Sequence, residues 1–135
     1  MRNFEQIRTH TLGAYRVTTN EPFLLCIELS LANGTRHQSL FLSEIEDEDG
    51  RHYLRFSTAV APITGLDAKR ALRFNWESHT GYLAVSDLDG VPYLHLCENR
   101  PYAILSAAEI DRLILELGGV GDRMESQLSA GGDLL

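Results

Sequence analysis

Three dipeptides constrain this chain more than any other feature: Asn33-Gly34, Asp49-Gly50 and Asp89-Gly90, each set between runs of alternating apolar and polar residues. A two-residue hairpin turn needs positive φ at its centre, which Asn, Asp and Gly tolerate and other residues resist. Three such signals read as tight antiparallel hairpins, not as crossovers between parallel strands. From Phe23 to Leu31 the period is two. Leu25, Ile27, Leu29 and Leu31 point one way and Cys26, Glu28 and Ser30 the other. Arg36–Glu46 continues the pattern, with Leu40 and Leu42 on one side and Phe41 and Ile45 on the other. In Arg51–Val60, Leu54, Phe56, Thr58 and Val60 alternate with Tyr53, Arg55, Ser57 and Ala59. Pro62 and Gly65 end that strand. Tyr82–Ser86 and Val91–Cys97 form a further pair, with Leu83, Val85, Leu94 and Leu96 as its inner face.

A sheet of this kind needs a cover, and the chain supplies one from Ser106. Ala107, Ile110, Leu113, Ile114 and Leu117 recur at helical spacing. Ser106 and Glu109 stand as the two ends of a capping box, each side chain reaching the other's backbone N–H. The stripe keeps phase through Met124 and Leu128 but crosses Gly118, Gly119 and Gly121, each costing about 1 kcal/mol inside a helix. Either one long helix bent at the glycines or a break there fits. Two shorter helices are read over Asn3–Leu12, ended by Gly13, and over Leu66–Asn75, with Asp67 in its first turn and an apolar side through Leu66, Ala71, Leu72 and Phe74. Ala14–Thr18 reads as a short strand, Asn20-Glu21-Pro22 as a turn, Trp76 as part of a loop, and Asn99-Arg100-Pro101 as a turn into the last helix. The order is helix, four strands, helix, two strands, helix: an α+β domain in which helices cover an antiparallel sheet.

The 135 residues fit one domain, 1–135, with 129–135 expected as a loose tail around Gly131-Gly132. A formal net charge of −7 disfavours phosphate backbones and anionic membranes and favours basic partners. Met1 to His10 is polar and charged and the longest apolar run is far too short to span a bilayer, so a cytoplasmic protein without membrane insertion is expected. The two cysteines, Cys26 and Cys97, lie inside strand runs and read as buried free thiols.

No spacing in the chain speaks for chemistry. The five histidines, His10, His37, His52, His79 and His95, show no metal-ligand spacing. Asp87-Leu88-Asp89-Gly90 has its glycine too early for a calcium loop and no glutamate in a loop position at its end. Gly118–Gly121 follows a helix and lacks the lysine of a phosphate loop. No catalytic, cofactor or metal residue is named. What stands out is apolar residues on the second faces of the strands: Phe41, Tyr53, Tyr82, Tyr93 and Cys97 alternate with the core positions, and Trp76 sits in a loop. Single exposure or cover by the first helix is one reading, and a patch for self-association or for an extended client is the other.

Leu72-Arg73-Phe74-Asn75, Gly81-Tyr82-Leu83-Ala84-Val85, Asp87-Leu88-Asp89-Gly90, Tyr93-Leu94-His95-Leu96 and the amphipathic helix after Leu105-Ser106 together resemble the type III secretion chaperone-like fold. That group comprises class I secretion chaperones and YbjN-like bacterial proteins. The resemblance covers the last 75 residues or so through these patterns, and the first 60 through the α-β-β-β-α-β-β-α order of elements. The glycines at 118, 119 and 121 and a strand at Ala14–Thr18 depart from it. The resemblance implies no enzyme activity and no cofactor. It implies a homodimer formed around the middle helix or neighbouring strands, and a client wrapped as an extended segment over apolar patches. The alternative it leaves is a YbjN-like regulatory or structural protein without a secreted client. The candidate partner or dimer surface is then Phe41, Tyr53, Trp76, Tyr82, Tyr93, Met124 and Leu128.

Overall fold

The computed structural model describes residues 1–31 and 33–129. Alternation and turn chemistry dictate its central feature, a six-stranded antiparallel sheet in the order β1-β2-β3-β4-β6-β5. The strands are β1 (Arg16–Glu21), β2 (Leu24–Leu31), β3 (Arg36–Glu46), β4 (His52–Pro62), β5 (Tyr82–Leu88) and β6 (Val91–Pro101). Asp89 (φ 51°) with Gly90 (φ 80°) forms a two-residue hairpin between Leu88 and Val91, while Asn33 (φ 57°) with Gly34 (φ 85°) takes the same left-handed conformation inside a longer β2–β3 connection closed at Leu31↔Arg36. At the β3–β4 turn Asp47 accepts backbone N–H bonds from Asp49 and Arg51, at 2.9 Å each, and the Tyr53 hydroxyl. The Arg51 amide, helped by Tyr53, holds its carboxyl below the usual range against some desolvation.

Three helices pack on or beside the sheet: α1 (Phe4–Ala14), α2 (Ala68–Glu77) and α3 (Ala107–Ser129). The expected stripe on α3 is the core: Ile110, Leu113, Ile114 and Leu117 are buried against Leu25, Ile27, Leu40, Leu42, Leu54, Phe56 and Leu96. Ser106 Oγ accepts the Glu109 N–H at 3.1 Å. The other half of the capping box is not formed, because the Glu109 carboxylate turns to Arg112 and Arg100.

The helix runs unbroken through the three glycines, whose role is steric. A Cβ on Gly118 would lie 2.5 Å from Leu29 Cδ1, and one on Gly121 2.6 Å from Thr58 Cγ2. The glycines let α3 approach the sheet more closely than any side chain would allow. Met124, expected on a partner surface, is therefore carried into the core, at 3% exposure.

Other boundaries shift for local reasons. Gly13 does not stop α1, which ends at Ala14 with the Tyr15 N–H bonded to Thr11 O. β1 begins at Arg16 and takes in Asn20 and Glu21. β6 runs through Asn99-Arg100-Pro101, pairing with β4 as far as Tyr53↔Pro101, before one 3₁₀ turn over Tyr102–Ile104 leads to α3. Asp67 is the N-cap of α2, accepting from Lys69 and Arg70, and not a first-turn residue. The helix is displaced accordingly and places Trp76 in its last turn instead of a loop. Leu72 faces solvent at 68% exposure, and Val85 is likewise open at 54%. Of the segment expected as a tail, Ser129 ends α3, and 130–135 lie outside the described residues.

One irregularity interrupts the sheet. The β3–β4 ladder stops at Phe41↔Ser57, although β3 extends back to Arg36 and β4 on to Pro62. Beyond that point β3 stays with β2 to Leu31↔Arg36, and β4 stays with β6, through a bulge between Ala59 and Ala61. The sheet is split at this end.

Candidate functional site: the open face of the sheet

The site begins with which face the helices leave bare. Inward residues of β2, β3, β4 and β6 meet α1 and α3. Outward residues make a surface from five strands. Cys26, Phe41, Ser57, Cys97 and Tyr82 stand side by side in one cross-strand row. In the next row Ala59, His95 and Ala84 are aligned. Small side chains therefore form the floor, and aromatic ones rise beside them. The result is a trough of about 640 Å³, lined by Leu24, Phe41, Ser57, Tyr82, Ala84 and Cys97 among others.

A second cavity of about 600 Å³ adjoins it where β3 and β4 part, sharing Phe41 and Leu88 with the trough. It is lined by residues of β2, β3, β4, β5 and β6 together with Glu125 and Leu128 of α3. Leu88 and Tyr93, near the β5–β6 turn, meet the same cavity as Cys26 on β2, so the open face is concave. In the split, Thr58 Oγ1 donates to Ser39 O at 2.7 Å and accepts from Gln38 Nε2 at 2.7 Å. A hydroxyl thus stands where the next ladder bond would be.

Burial pushes the Cys97 thiol up to about 11, with Arg55 working against that shift and Glu98 adding to it. A thiol in that range is a weak nucleophile at neutral pH. Cys26 and Cys97 are free, and three strand spacings put them roughly 14 Å apart, beyond disulfide reach. His95 Nε2 lies 3.2 Å from Ser86 O. Glu28 pairs with Arg16 at 3.6 Å and His37 at 3.4 Å. Among the described residues no group of three or more His, Cys, Asp or Glu could hold a metal ion.

A tight polar cluster lies elsewhere, between α1 and α3. The Tyr15 hydroxyl donates to Asp111 Oδ1 at 2.6 Å, and His10 Nε2 is 2.8 Å from the same oxygen. Burial and the neighbouring carboxylate raise the Tyr15 hydroxyl. Desolvation alone would raise Asp111, but the bonds from Tyr15 and His10 outweigh it and hold the carboxyl low. The cluster lines neither cavity, and its geometry ties two helices together.

Of the surface residues expected from alternation, Phe41, Tyr82 and Tyr93 meet on the open face. Tyr53 sits at its far end, with its hydroxyl on Asp47. Leu128 lines the split, Trp76 stands apart on α2 at 89% exposure, and Met124 is buried. Alternation alone misses the small residues of the floor and the split itself. Gln38 and Thr58, two polar residues at inward positions of alternating runs, are the available signal for the latter.

No family model matches the sequence, and no curated protein matches it. Solved structures do match in shape. A chain of the HopA1–SchA chaperone–effector complex superposes with a TM-score of 0.57 at 15% identity, over 90% of this chain and 88% of that one. YbjN from E. coli, provisionally described as a transcription regulator, superposes with a TM-score of 0.61 at 12% identity, over 96% and 93%. The fold is the type III secretion chaperone-like one. In this chaperone-like fold, shared with YbjN, the chain keeps the helix order and hairpins of its neighbours. At such identities the likeness is one of fold. No helix among the described residues is long and apolar enough to cross a membrane.

Proposed function

We propose that this chain is a non-enzymatic protein-binding module that holds an extended segment of a client protein on the open face of its sheet. The observation that carries the reading is the concave, uncovered face on which Phe41, Tyr82 and Tyr93 surround a floor of Ser57, Ala59 and Ala84. An apolar face of this kind fits an extended polypeptide, whose alternate side chains enter pockets while its backbone runs along the surface. The effector complex among the structural neighbours supports a protein as the partner. The same reading makes the protein a cytoplasmic, bacterial homodimer. Leu72 and Trp76, one turn apart on α2 and both exposed, are the apolar stripe on which the dimer forms.

YbjN supports a second reading, a regulatory interaction protein without a secreted client, because it matches the chain over nearly its whole length. Affinity capture from the native host separates the two, comparing the wild type with a Phe41→Ser/Tyr93→Ser variant. A secreted protein retained by the wild type and lost by the variant supports the first reading. A non-secreted regulator lost in the same way supports the second. Partners retained equally by both proteins exclude the open face as the site.

A further inference from the structure

One cation on the open face is left unmatched. With 19 acidic and 12 basic residues in the chain, cations are easily paired. Arg8, Arg16, Arg36, Arg51, Arg100 and Arg112 each have a carboxylate within 3.6 Å. Arg55 has none among the described residues. It stands on β4 in one cross-strand row with Ser43 on β3 and Asn99 on β6, both neutral, and it lines the trough. The next row holds Phe41, Ser57 and Cys97. The charge of Arg55 reaches that row, since it opposes the upward shift of the Cys97 thiol. Arg55 Nε donates to Asn99 Oδ1 at 3.2 Å, and among the described residues Nη1 and Nη2 have no partner. The anchored Nε fixes the plane of the guanidinium and leaves the end-on pair of donors for a planar, bidentate acceptor.

Asn99 ties a second donor to the first. A guanidinium only donates, so the amide oxygen of Asn99 faces Arg55 and its nitrogen is turned the other way. That nitrogen donates to the Tyr82 hydroxyl oxygen at 2.9 Å, which leaves the hydroxyl proton of Tyr82 to be donated in turn. We infer that Arg55 and Tyr82 form a carboxylate-binding subsite at this end of the trough, and that the segment held there carries an aspartate or glutamate beside an apolar residue. The carboxylate takes the two Nη donors and the Tyr82 proton, and the apolar side chain lies on Phe41 and Cys97. Asn99 is a positioning residue that acts through both donors. The apolar face supplies contact area, and the cation supplies selection and orientation. This rests on the reading of the open face as a client surface, and deepens it by naming the residue class selected.

The probe is a fluorescein-labelled nonapeptide of alternating valine and threonine with a central leucine and a glutamate two positions after it. Twin peptides carry glutamine or phosphoserine for the glutamate. Binding is followed by fluorescence anisotropy, and the site by shifts of backbone amides and of the Arg55 Nε–H in the ¹⁵N-labelled full chain. The glutamate peptide should bind about tenfold more tightly than the glutamine twin and move the Arg55, Ser57 and Cys97 signals. Arg55→Gln should remove that preference. So should Asn99→Asp, which keeps the cation but gives it a carboxylate of its own. Tyr82→Phe should narrow the preference about threefold. Thermal melts establish that each variant compared is folded. Equal binding of the glutamate and glutamine peptides, with shifts still on Ser57 and Cys97, would overturn the subsite while leaving the open face as the client surface. No binding of any peptide to millimolar concentration, or shifts confined to α2, would count against both. A phosphoserine peptide more than tenfold tighter than the glutamate peptide would overturn the inference by making the ligand a phosphorylated segment. Removal of residues 130–135 tightening the glutamate peptide more than tenfold, or self-association abolished by Arg55→Gln, would overturn it by assigning the subsite to this chain's own segment or to a second copy.

Discussion

Gly121 on α3 and Thr58 on β4 lie so close that a methyl group on the glycine would stand 2.6 Å from the threonine Cγ2. This contact fixes α3 over the point where β3 and β4 separate. Thr58 has no freedom to yield, because its hydroxyl is committed to both Ser39 and Gln38. The helix that builds the core thus also shapes the cavity beside it.

The three helix glycines should respond differently to alanine. At Gly119 the nearest atom is the flexible Arg123 guanidinium at 3.6 Å, so alanine should stabilise by about 1 kcal/mol through helix propensity. At Gly118 the clash is with the end of the Leu29 side chain, which can rotate, and gain and loss should nearly cancel. At Gly121 the clash is with a locked β-branched residue, and alanine should cost about 1–3 kcal/mol. Urea unfolding of the three variants gives the ranking, and a Gly121→Ala protein as stable as the wild type would refute the tight contact.

Asn75 acts as a piece of strand. Its side chain donates to Leu83 O at 3.1 Å and accepts from Leu83 N at 2.6 Å, closing the outer edge of β5. Asn75→Ala leaves both backbone groups unpaired and should cost about 1–3 kcal/mol. The Leu83 amide should exchange with deuterium sooner than its neighbours do. Unchanged exchange at Leu83 would remove Asn75 from this role.

The exposed stripe on α2 gives a prediction that separates assembly from folding. Trp76 is the only tryptophan and is 89% exposed in the single chain. On dimerisation its emission should shift to the blue with rising concentration, while light scattering reports a doubled mass. Trp76→Ser with Leu72→Ser should abolish both changes and alter the stability of the monomer by about 0.5 kcal/mol or less. A wild type that stays monomeric at high concentration would set the dimer aside.

Asp111 carries a pH dependence of definite sign. Its folded-state pKa lies below the ordinary value of 3.8, so its contribution is fully present above that value. The contribution is lost as pH falls through the lower, folded value. Its carboxylate is well exposed, so the effect is modest. Asp111→Asn should therefore flatten the acid limb of the stability curve and separate α1 from α3 first. An acid limb identical to that of the wild type would show that the Tyr15 and His10 bonds do not favour the charged form.

The hairpins are legible in the sequence because their turn residues are dictated locally: Asn33-Gly34 and Asp89-Gly90 sit where positive φ is needed. The α3 core face is legible because five apolar residues hold one period. Three things are not. The glycines read as a weak point in α3, since propensity sees the helix alone and not the strand pressed against it. Leu72 reads as inward when α2 is started at Leu66, and the Asp67 cap rotates the face. The split is hidden because β3 and β4 both run on as strands past the point where they stop pairing, and only the polar residues Gln38 and Thr58 at inward positions mark it. The open face is legible as a set of outward aromatics, but not as a concavity, which depends on sheet curvature and on the small residues between them.

The most direct test places a photo-crosslinking amino acid at Ser57, in the middle of the open face, and at Arg112 on the outer side of α3, in cells of the native host. The account predicts one dominant protein adduct from position 57, joined through a short contiguous segment of the partner, and none from position 112. Equal adducts from both positions, or none from position 57 while the protein is folded, would contradict the claim that the open sheet face holds an extended partner segment.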